Sequence, residues 1–326
     1  MAAITLLEAI RQGMWEEMER DERVFILGED IGVYGGAFKM TEGFLARFGE
    51  ERVIDTPISE SAIVGAACGA AMMGLRPIAE MQFIDFISCA FDIITNYAAK
   101  SRYRQDIGIP IVVRGPCGGG VHGGPFHSQN VESFFLNTPG LKMVEPSTPY
   151  DAKGLIKAAI RDEDPVLFFE HKLLYRNPKI KQEVPEEDYI VPIGKAAIRR
   201  EGTSLSIITF GAMVYTALEA ASQLEQEGID VEVLDLRTLL PLDREAIAET
   251  VRKTNKVIIL HEATRTGGIA GEIAAVINED AFEYLDGPIV RVTSIDTPVP
   301  YAPPLEEFFL PQVDDVLKAA RRLAAY

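Results

Sequence analysis

Asp55-Thr56-Pro57-Ile58-Ser59-Glu60 runs without a break into Ser61-Ala62-Ile63-Val64-Gly65-Ala66-Ala67-Cys68-Gly69-Ala70-Ala71. Before it, Arg52-Val53-Ile54-Asp55 reads as a short strand, and after it comes a helix of almost nothing but small residues. Ser59 suits an N-cap, and Pro57 helps to fix the turn that leads in. With Gly65, Gly69 and alanines on most faces, this helix lets another backbone come very close. Glu60 stands at its mouth, where the apolar chain that follows offers little solvation. Desolvation raises a carboxyl pKa, and the helix N-terminus opposes that rise. From this stretch alone, Glu60 reads either as a helix-dipole acid or as a tuned functional acid.

Working outward, 326 residues are enough for two domains with a sizeable core. At 47% hydrophobic and 25% charged, the composition is that of an ordinary soluble globular protein. The formal net charge of -17 argues against nucleic acid or an anionic membrane as a partner. Cys68, Cys89 and Cys117 are widely spaced and show neither a metal spacing nor a disulfide framework, which points to a reducing cytoplasm. The longest stretch free of strongly polar residues, 62–75, is too short and too rich in Gly and Ala to span a bilayer. Glu8, Glu16, Glu17 and Glu19 make the N-terminal stretch unlike a signal or transit peptide.

The chain alternates helix and strand. Thr5 to about Arg20 is an amphipathic helix with Leu6, Ile10, Met14 and Met18 along one face. Strands are expected at 24–27, 76–81, 109–114, 141–146 and 165–170, with helices between them. One of these helices carries Phe91, Asp92, Ile94, Tyr97 and Ala98, and another spans 150–161. From about Asn177 to Pro192 the composition shifts to Lys, Glu and Pro, as in a connecting linker. Beyond it, strands at 205–209, 231–235, 257–260 and 289–292 form a smaller α/β unit, and a helix from about Gln312 ends the chain. The expectation is two parallel-sheet α/β domains: residues 1–185, a linker 186–192, and residues 193–326.

Two glycine-rich loops stand out. Gly32-Val33-Tyr34-Gly35-Gly36 follows a strand but matches neither the dinucleotide fingerprint nor the P-loop, and reads as a turn allowing close backbone approach. Gly115-Pro116-Cys117-Gly118-Gly119-Gly120-Val121-His122-Gly123-Gly124-Pro125-Phe126-His127-Ser128-Gln129 holds two of the chain's four histidines. Loops at the C-terminal ends of parallel strands are where such folds place their chemistry, so His127 is a candidate site residue. Asp92, inside a helix, reads from its setting as capped, paired or solvated.

Asp55-Thr56-Pro57-Ile58-Ser59-Glu60, Gly74-Leu75-Arg76-Pro77, His127-Ser128-Gln129, Pro139-Gly140-Leu141-Lys142, Ala152-Lys153-Gly154-Leu155-Ile156, Asp235-Leu236-Arg237-Thr238-Leu239 and His261-Glu262-Ala263 form a set. Together they resemble the β subunit of a thiamine-diphosphate-dependent 2-oxo acid dehydrogenase. The resemblance implies a pyrimidine-binding domain followed by a transketolase-type C-terminal domain. It also implies an α subunit in an α2β2 assembly, and a lipoyl-bearing acyltransferase that receives the acyl group. In the family, a carboxyl group on the cofactor's pyrimidine nitrogen promotes loss of the thiazolium proton, and Glu60 matches that residue. Phe86 matches the aromatic residue packed on the aminopyrimidine, and His127 matches the histidine facing the 2-oxo acid and the lipoyl disulfide. Asp92 resembles an acidic position in the polar channel linking paired sites.

The Gly-Asp-Gly motif that holds magnesium and diphosphate is absent from this sequence, and the family places it on the α subunit. A potassium site matches Ile111, Ala159, Ile160, Asp162 and Asp164, although the preceding loop Arg102–Ile109 is shorter than the family's pattern. Gln82–Ile87, Gly118–Gly124, Phe169–Arg176 and His261–Gly268 resemble the branched-chain enzymes, with pyruvate dehydrogenase next and acetoin dehydrogenase third. A split transketolase and a non-catalytic assembly subunit are the alternatives from other classes.

Overall fold

The computed structural model describes residues 3–326. The chain divides into two compact units. The first contains the residues up to Cys117 together with Phe134–Ile193, and the second contains Gly118–Ser133 and Gly194–Tyr326. The glycine-rich loop thus belongs to the second unit, a crossing that the sequence reading does not include.

The first unit contains α1 (Leu6–Arg20), β1 (Val24–Gly28), α2 (Phe44–Phe48), β2 (Val53–Asp55), α3 (Glu60–Met72) and β3 (Arg76–Glu80). It continues with α4 (Ser101–Gln105), β4 (Val112–Cys117), β5 (Lys142–Val144), α5 (Pro149–Arg161) and β6 (Val166–His171). Its strands lie in the order β5-β6-β4-β3-β1-β2, all parallel. Every residue of β1, β4 and β6 is buried, which is why these strands read as near-continuous apolar runs. α1 opens with a capping box: the Thr5 hydroxyl accepts from the Glu8 amide at 3.2 Å, and the Glu8 carboxylate accepts from the Thr5 amide at 2.7 Å. Leu6, Ile10, Met14 and Met18 are fully buried, as the periodicity requires. α1 packs on α5 so closely that a Cβ on Gly13 would come within 2.4 Å of Ile156.

Several local readings change. Ser59 is at the N-cap of α3, but its side chain does not cap; instead its amide donates to the Glu29 carboxylate. The helix expected around Phe91 is a 3-10 segment, Ile84–Ala90, followed by a π turn, Ile93–Ala98. There the Ala99 amide reaches back five residues to the Ile94 carbonyl at 3.0 Å, and the Thr95 hydroxyl takes the Phe91 carbonyl at 2.8 Å. β4 starts three residues later than expected, because Pro110 has no N–H for the ladder and Ile111 turns back on Ile109. The expected linker is pinned to the first unit: Ile4 and Gln182 form an antiparallel bridge, Tyr189 stacks on Tyr150 at 4.6 Å, and Val191 is buried against Gly154.

The second unit contains β7 (Ala197–Arg200), β8 (Leu205–Thr209), α6 (Met213–Glu225), β9 (Val231–Asp235), β10 (Thr238–Leu240) and α7 (Arg244–Thr254). β11 (Val257–Thr264), α8 (Ala270–Asp280), β12 (Val290–Ser294), α9 (Pro303–Phe309) and α10 (Val313–Ala324) follow. Its sheet has the order β12-β11-β8-β9-β7. It is parallel except at one edge, where β7 runs antiparallel to β9, so the expectation of a wholly parallel sheet is corrected there. No described helix is long and apolar enough to cross a membrane.

In the first unit, Arg114 of β4 is buried between two carboxylates. Its Nε and Nη2 donate to Glu170 of β6 at 2.5 Å each, and its Nη1 donates to Glu80 of β3. The Tyr175 hydroxyl donates to Glu170 at 2.6 Å. Burial holds the Glu80 carboxyl above its ordinary range, with the Arg114 charge opposing that rise. Arg114→Met would leave both carboxylates buried without their cation. We expect a loss of about 3–5 kcal/mol, measured by urea denaturation. An unchanged midpoint and slope would contradict this role.

Candidate active site

Glu60 is the first residue of α3 and is half-buried. The neighbouring Ser61 hydroxyl donates to the Cys89 carbonyl, tying the start of α3 to the 3-10 segment that carries Phe86. α3 packs against that segment, so the structure brings Glu60 and Phe86 onto adjoining elements. Glu29, just past β1, is buried near Glu60. Burial raises its carboxyl pKa, the Glu60 and Asp30 charges add to the rise, and the Ser59 amide opposes it. Two carboxyl groups with different environments thus meet at the mouth of α3, a usual arrangement for separating the roles of two acids. Among the described residues, none donates a hydrogen bond to the Glu60 carboxylate. An unclaimed acceptor and a half-buried aromatic ring on adjoining elements fit the aminopyrimidine end of thiamine diphosphate.

Asp92 is exposed at the start of the π turn, where it accepts from Asn96 at 2.7 Å; Asn96 in turn accepts from Lys100 at 2.7 Å. The residues matched to a potassium site are otherwise engaged. Arg76 donates to the carbonyls of Ile160 and Asp162 at 3.0 Å each. Lys142 bonds the Asp162 carboxylate at 2.6 Å, and Arg102 bonds Asp164 at 2.5 Å. The Ala159 and Ile111 carbonyls accept the amides of Asp162 and Val166. Three cationic side chains already occupy Ile160, Asp162 and Asp164, so the set as arranged does not fit a potassium ion, and no step below is routed through one.

The segment Gly118–Ser133, described within the second unit, carries His127 at the end of a short 3-10 turn, Gly124–Phe126. Positive φ angles alternate along the loop, at Gly118, Gly120, His122 and Gly124. That alternation turns successive amides inward, toward carboxylates. The Gly119 amide donates to Glu262 at 2.6 Å, and Asn130 donates to the same oxygen at 2.8 Å. The Gly120 amide donates to Glu306 of α9 at 3.0 Å, and the His122 amide donates to its two oxygens at 3.3 and 3.1 Å. His122 Nδ1 lies 2.6 Å from Glu306. None of these carboxylates was assigned a role from the sequence. Glu262 stood inside a recognised motif, but Glu306 lies in a short apolar helix and gave no local signal.

Two further buried groups flank this loop. Glu132 is 2% exposed, and burial pushes its carboxyl from 4.5 up to about 7, aided by Glu262 and opposed by its own backbone amide. His261 is fully buried, and neither ring nitrogen has a hydrogen-bond partner among the described residues. Burial brings it from 6.5 down to about 4, with Arg291 adding to the fall and Glu262 opposing it.

The family comparisons agree with this architecture. The transketolase pyrimidine binding domain matches residues 2–178, and the transketolase C-terminal domain matches residues 194–316. A solved structure described as a split gene transketolase, an inactive beta4 tetramer, superposes with a TM-score of 0.79 at 25% identity, covering 99% of each chain. The 2-oxoisovalerate dehydrogenase subunit beta of Bacillus subtilis (strain 168) is 56% identical over 100% of both chains. The pyruvate dehydrogenase E1 component subunit beta of the same strain is 46% identical, again over 100% of both. The corresponding pyruvate dehydrogenase subunit of Staphylococcus aureus (strain COL) is 44% identical over 98% of both. Fold and site define a transketolase-type pair of domains carrying the pyrimidine side of a cofactor site. The chain belongs to the β subunits of the thiamine-diphosphate-dependent 2-oxo acid dehydrogenases.

Glu132 and His261 act on stability with opposite signs. The raised Glu132 favours the folded state fully below 4.5, and that contribution is lost as pH rises through about 7. The depressed His261 favours folding above 6.5, and that contribution is lost as pH falls toward about 4. Glu132→Gln should therefore stabilise the protein at pH 8 by up to about 3 kcal/mol and do little at pH 4.5. Urea denaturation at the two pH values measures the difference, and an equal effect at both would contradict a buried, raised Glu132.

Proposed function

We propose that this chain is the β subunit of the decarboxylating component of a 2-oxo acid dehydrogenase complex, acting on branched-chain 2-oxo acids of the 2-oxoisovalerate type. The observation carrying this reading is full-length identity of 56% with a 2-oxoisovalerate dehydrogenase subunit, against 46% with a pyruvate dehydrogenase subunit. Bound thiamine diphosphate would supply a nucleophilic carbon that adds to the 2-oxo group and a thiazolium ring that takes up the electron pair left when CO2 departs. Glu60 would hold a proton at the pyrimidine ring nitrogen, and Phe86 would pack on that ring. His127 donates to the 2-oxo acid and to the incoming lipoyl disulfide, stabilising developing charge or supplying a proton. In the transfer the acyl carbon is oxidised to a thioester, while the disulfide is reduced to that thioester and one thiol. We assign Asp92, with its Asn96–Lys100 chain, to the polar path between paired sites.

In this reading the chain supplies half a site. Its sequence has no Gly-Asp-Gly motif, so magnesium and the diphosphate are held by an α subunit in an α2β2 assembly. The acyl group passes to a lipoyl-bearing acyltransferase, and the complex works in the cytoplasm. A ketol transfer of the transketolase type is the second reading, favoured by the structural likeness to a split gene transketolase.

With its α subunit, the chain should decarboxylate 2-oxoisovalerate in preference to pyruvate and acetoin, and should acylate lipoyl domains. Ketol transfer without lipoamide use would favour the second reading. Alone, it should bind thiamine diphosphate poorly; tight magnesium-dependent binding in calorimetry would overturn the half-site. Glu60→Gln should slow exchange of the cofactor's thiazolium proton into deuterated water by roughly 10²–10⁴-fold, with cofactor binding little changed. A wild-type exchange rate would remove Glu60 from cofactor activation.

A further inference from the structure

A loop this rich in glycine is costly to order, and His122 holds a φ of 58° that a residue with a side chain rarely adopts unaided. Here the order comes from two carboxylates of the second unit. Glu262 of β11 gathers the base of the loop: it accepts from Gly119 at 2.6 Å and from Asn130 at 2.8 Å, next to the Gly118–Gln129 backbone bond of 3.1 Å. Glu306 of α9 gathers the rising arm through the amides of Gly120 and His122 and the His122 ring. Glu306 is 1% exposed, so its charge is excluded from water and depends on these donors. The neighbouring chain completes the seat. A Cβ on Gly124 would fall within 2.2 Å of Tyr301, and one on Gly119 within 3.1 Å of Leu310. His127 lies three residues beyond Gly124, at the end of the arm held this way.

We propose that Glu306 is a positioning residue for His127. It touches neither substrate nor cofactor; it sets the shape of the Gly118–Gln129 loop, and through that shape the place from which His127 serves acyl transfer. The role assigned to Glu306 rests on the reading of His127 given under the proposed function. Glu262 assists at the base of the loop, but it also faces Glu132 and His261, which makes its substitution harder to interpret.

Hydrogen–deuterium exchange on the full chain tests the clamp without any activity. Glu306→Ala should speed exchange of the Gly120 and His122 amides at least ~10-fold, while amides of β8 and β9 keep their wild-type protection. Should that variant fail to fold, Glu306→Asp, which draws the carboxylate back by one methylene, carries the same test. Glu306→Gln keeps an acceptor for the amides and should restore much of the protection. A double-substitution cycle in the complex with the α subunit then tests the link to His127. Glu306→Ala should reduce lipoyl-domain acylation ~10-fold or more in the wild-type background and change it little in the His127→Ala background, with thiamine diphosphate affinity unaltered in both. Unchanged exchange at Gly120 and His122, or losses that simply multiply, would overturn the proposal. If His127→Ala itself leaves acylation intact, the reading of His127 falls and takes the transfer role of Glu306 with it. The exchange data still report the clamp on its own.

Discussion

The first unit depends on where the Arg114 guanidinium is held. A buried cation needs its anions at hydrogen-bond range, and those anions come from the strands on either side of β4. Arg114 is level with Glu80 in the register of β3 and β4, and Glu170 follows two places beyond its partner on β6. A slip of one residue would send Arg114 to the opposite face of the sheet and strand three charges. The register of the central strands is therefore fixed by electrostatics as well as by packing. The chain leaving β3 reaches Phe86 six residues after Glu80, and the chain leaving β4 enters the glycine-rich loop directly. The segments that carry the candidate chemistry start from strand ends whose positions cannot drift.

Most of the scaffold was legible in the sequence because each part of it obeys a local rule. The apolar runs of β1, β8, β9 and β11 are buried strands, and the stripe on α1 is a buried helix face. What escaped was set by distant partners. β7 is short and bears Arg199 and Arg200, so no apolar run announced it; its place comes from antiparallel pairing with β9. The π turn after Phe91 shares its composition with an α-helix and differs only in which carbonyl each amide chooses. Glu60, Phe86 and His127 are candidates from the sequence because they sit in recognisable words. Glu306 was not, because its meaning lies in amides more than 180 residues away in the chain.

The same dependence on distant partners governs the acids of the second unit. Glu262 takes two donors, and its charge helps to hold Glu132 toward its neutral form. Glu132 and His261 respond to pH in opposite directions, so the unit's stability changes less between pH 4.5 and 6.5 than either group alone would require. In the first unit, Arg76, Arg102 and Lys142 meet the carbonyls and carboxylates at the end of α5, where a metal was expected. Charge balance there is achieved by side chains.

The glycines of α3 carry one more consequence. A Cβ on Gly65 or Gly69 would meet nothing within 4 Å, and neither residue has the positive φ that would exclude a side chain. Alanine at either position would favour the helix by about 1 kcal/mol over glycine. Judged by its own stability, then, this helix is suboptimal at two adjacent turns. A screen that ranked substitutions by melting temperature would count Gly65→Ala and Gly69→Ala as improvements, and a screen for assembly with another chain would rank them on an unrelated scale. The distance between those two rankings measures how far this fold is shaped by what lies outside it.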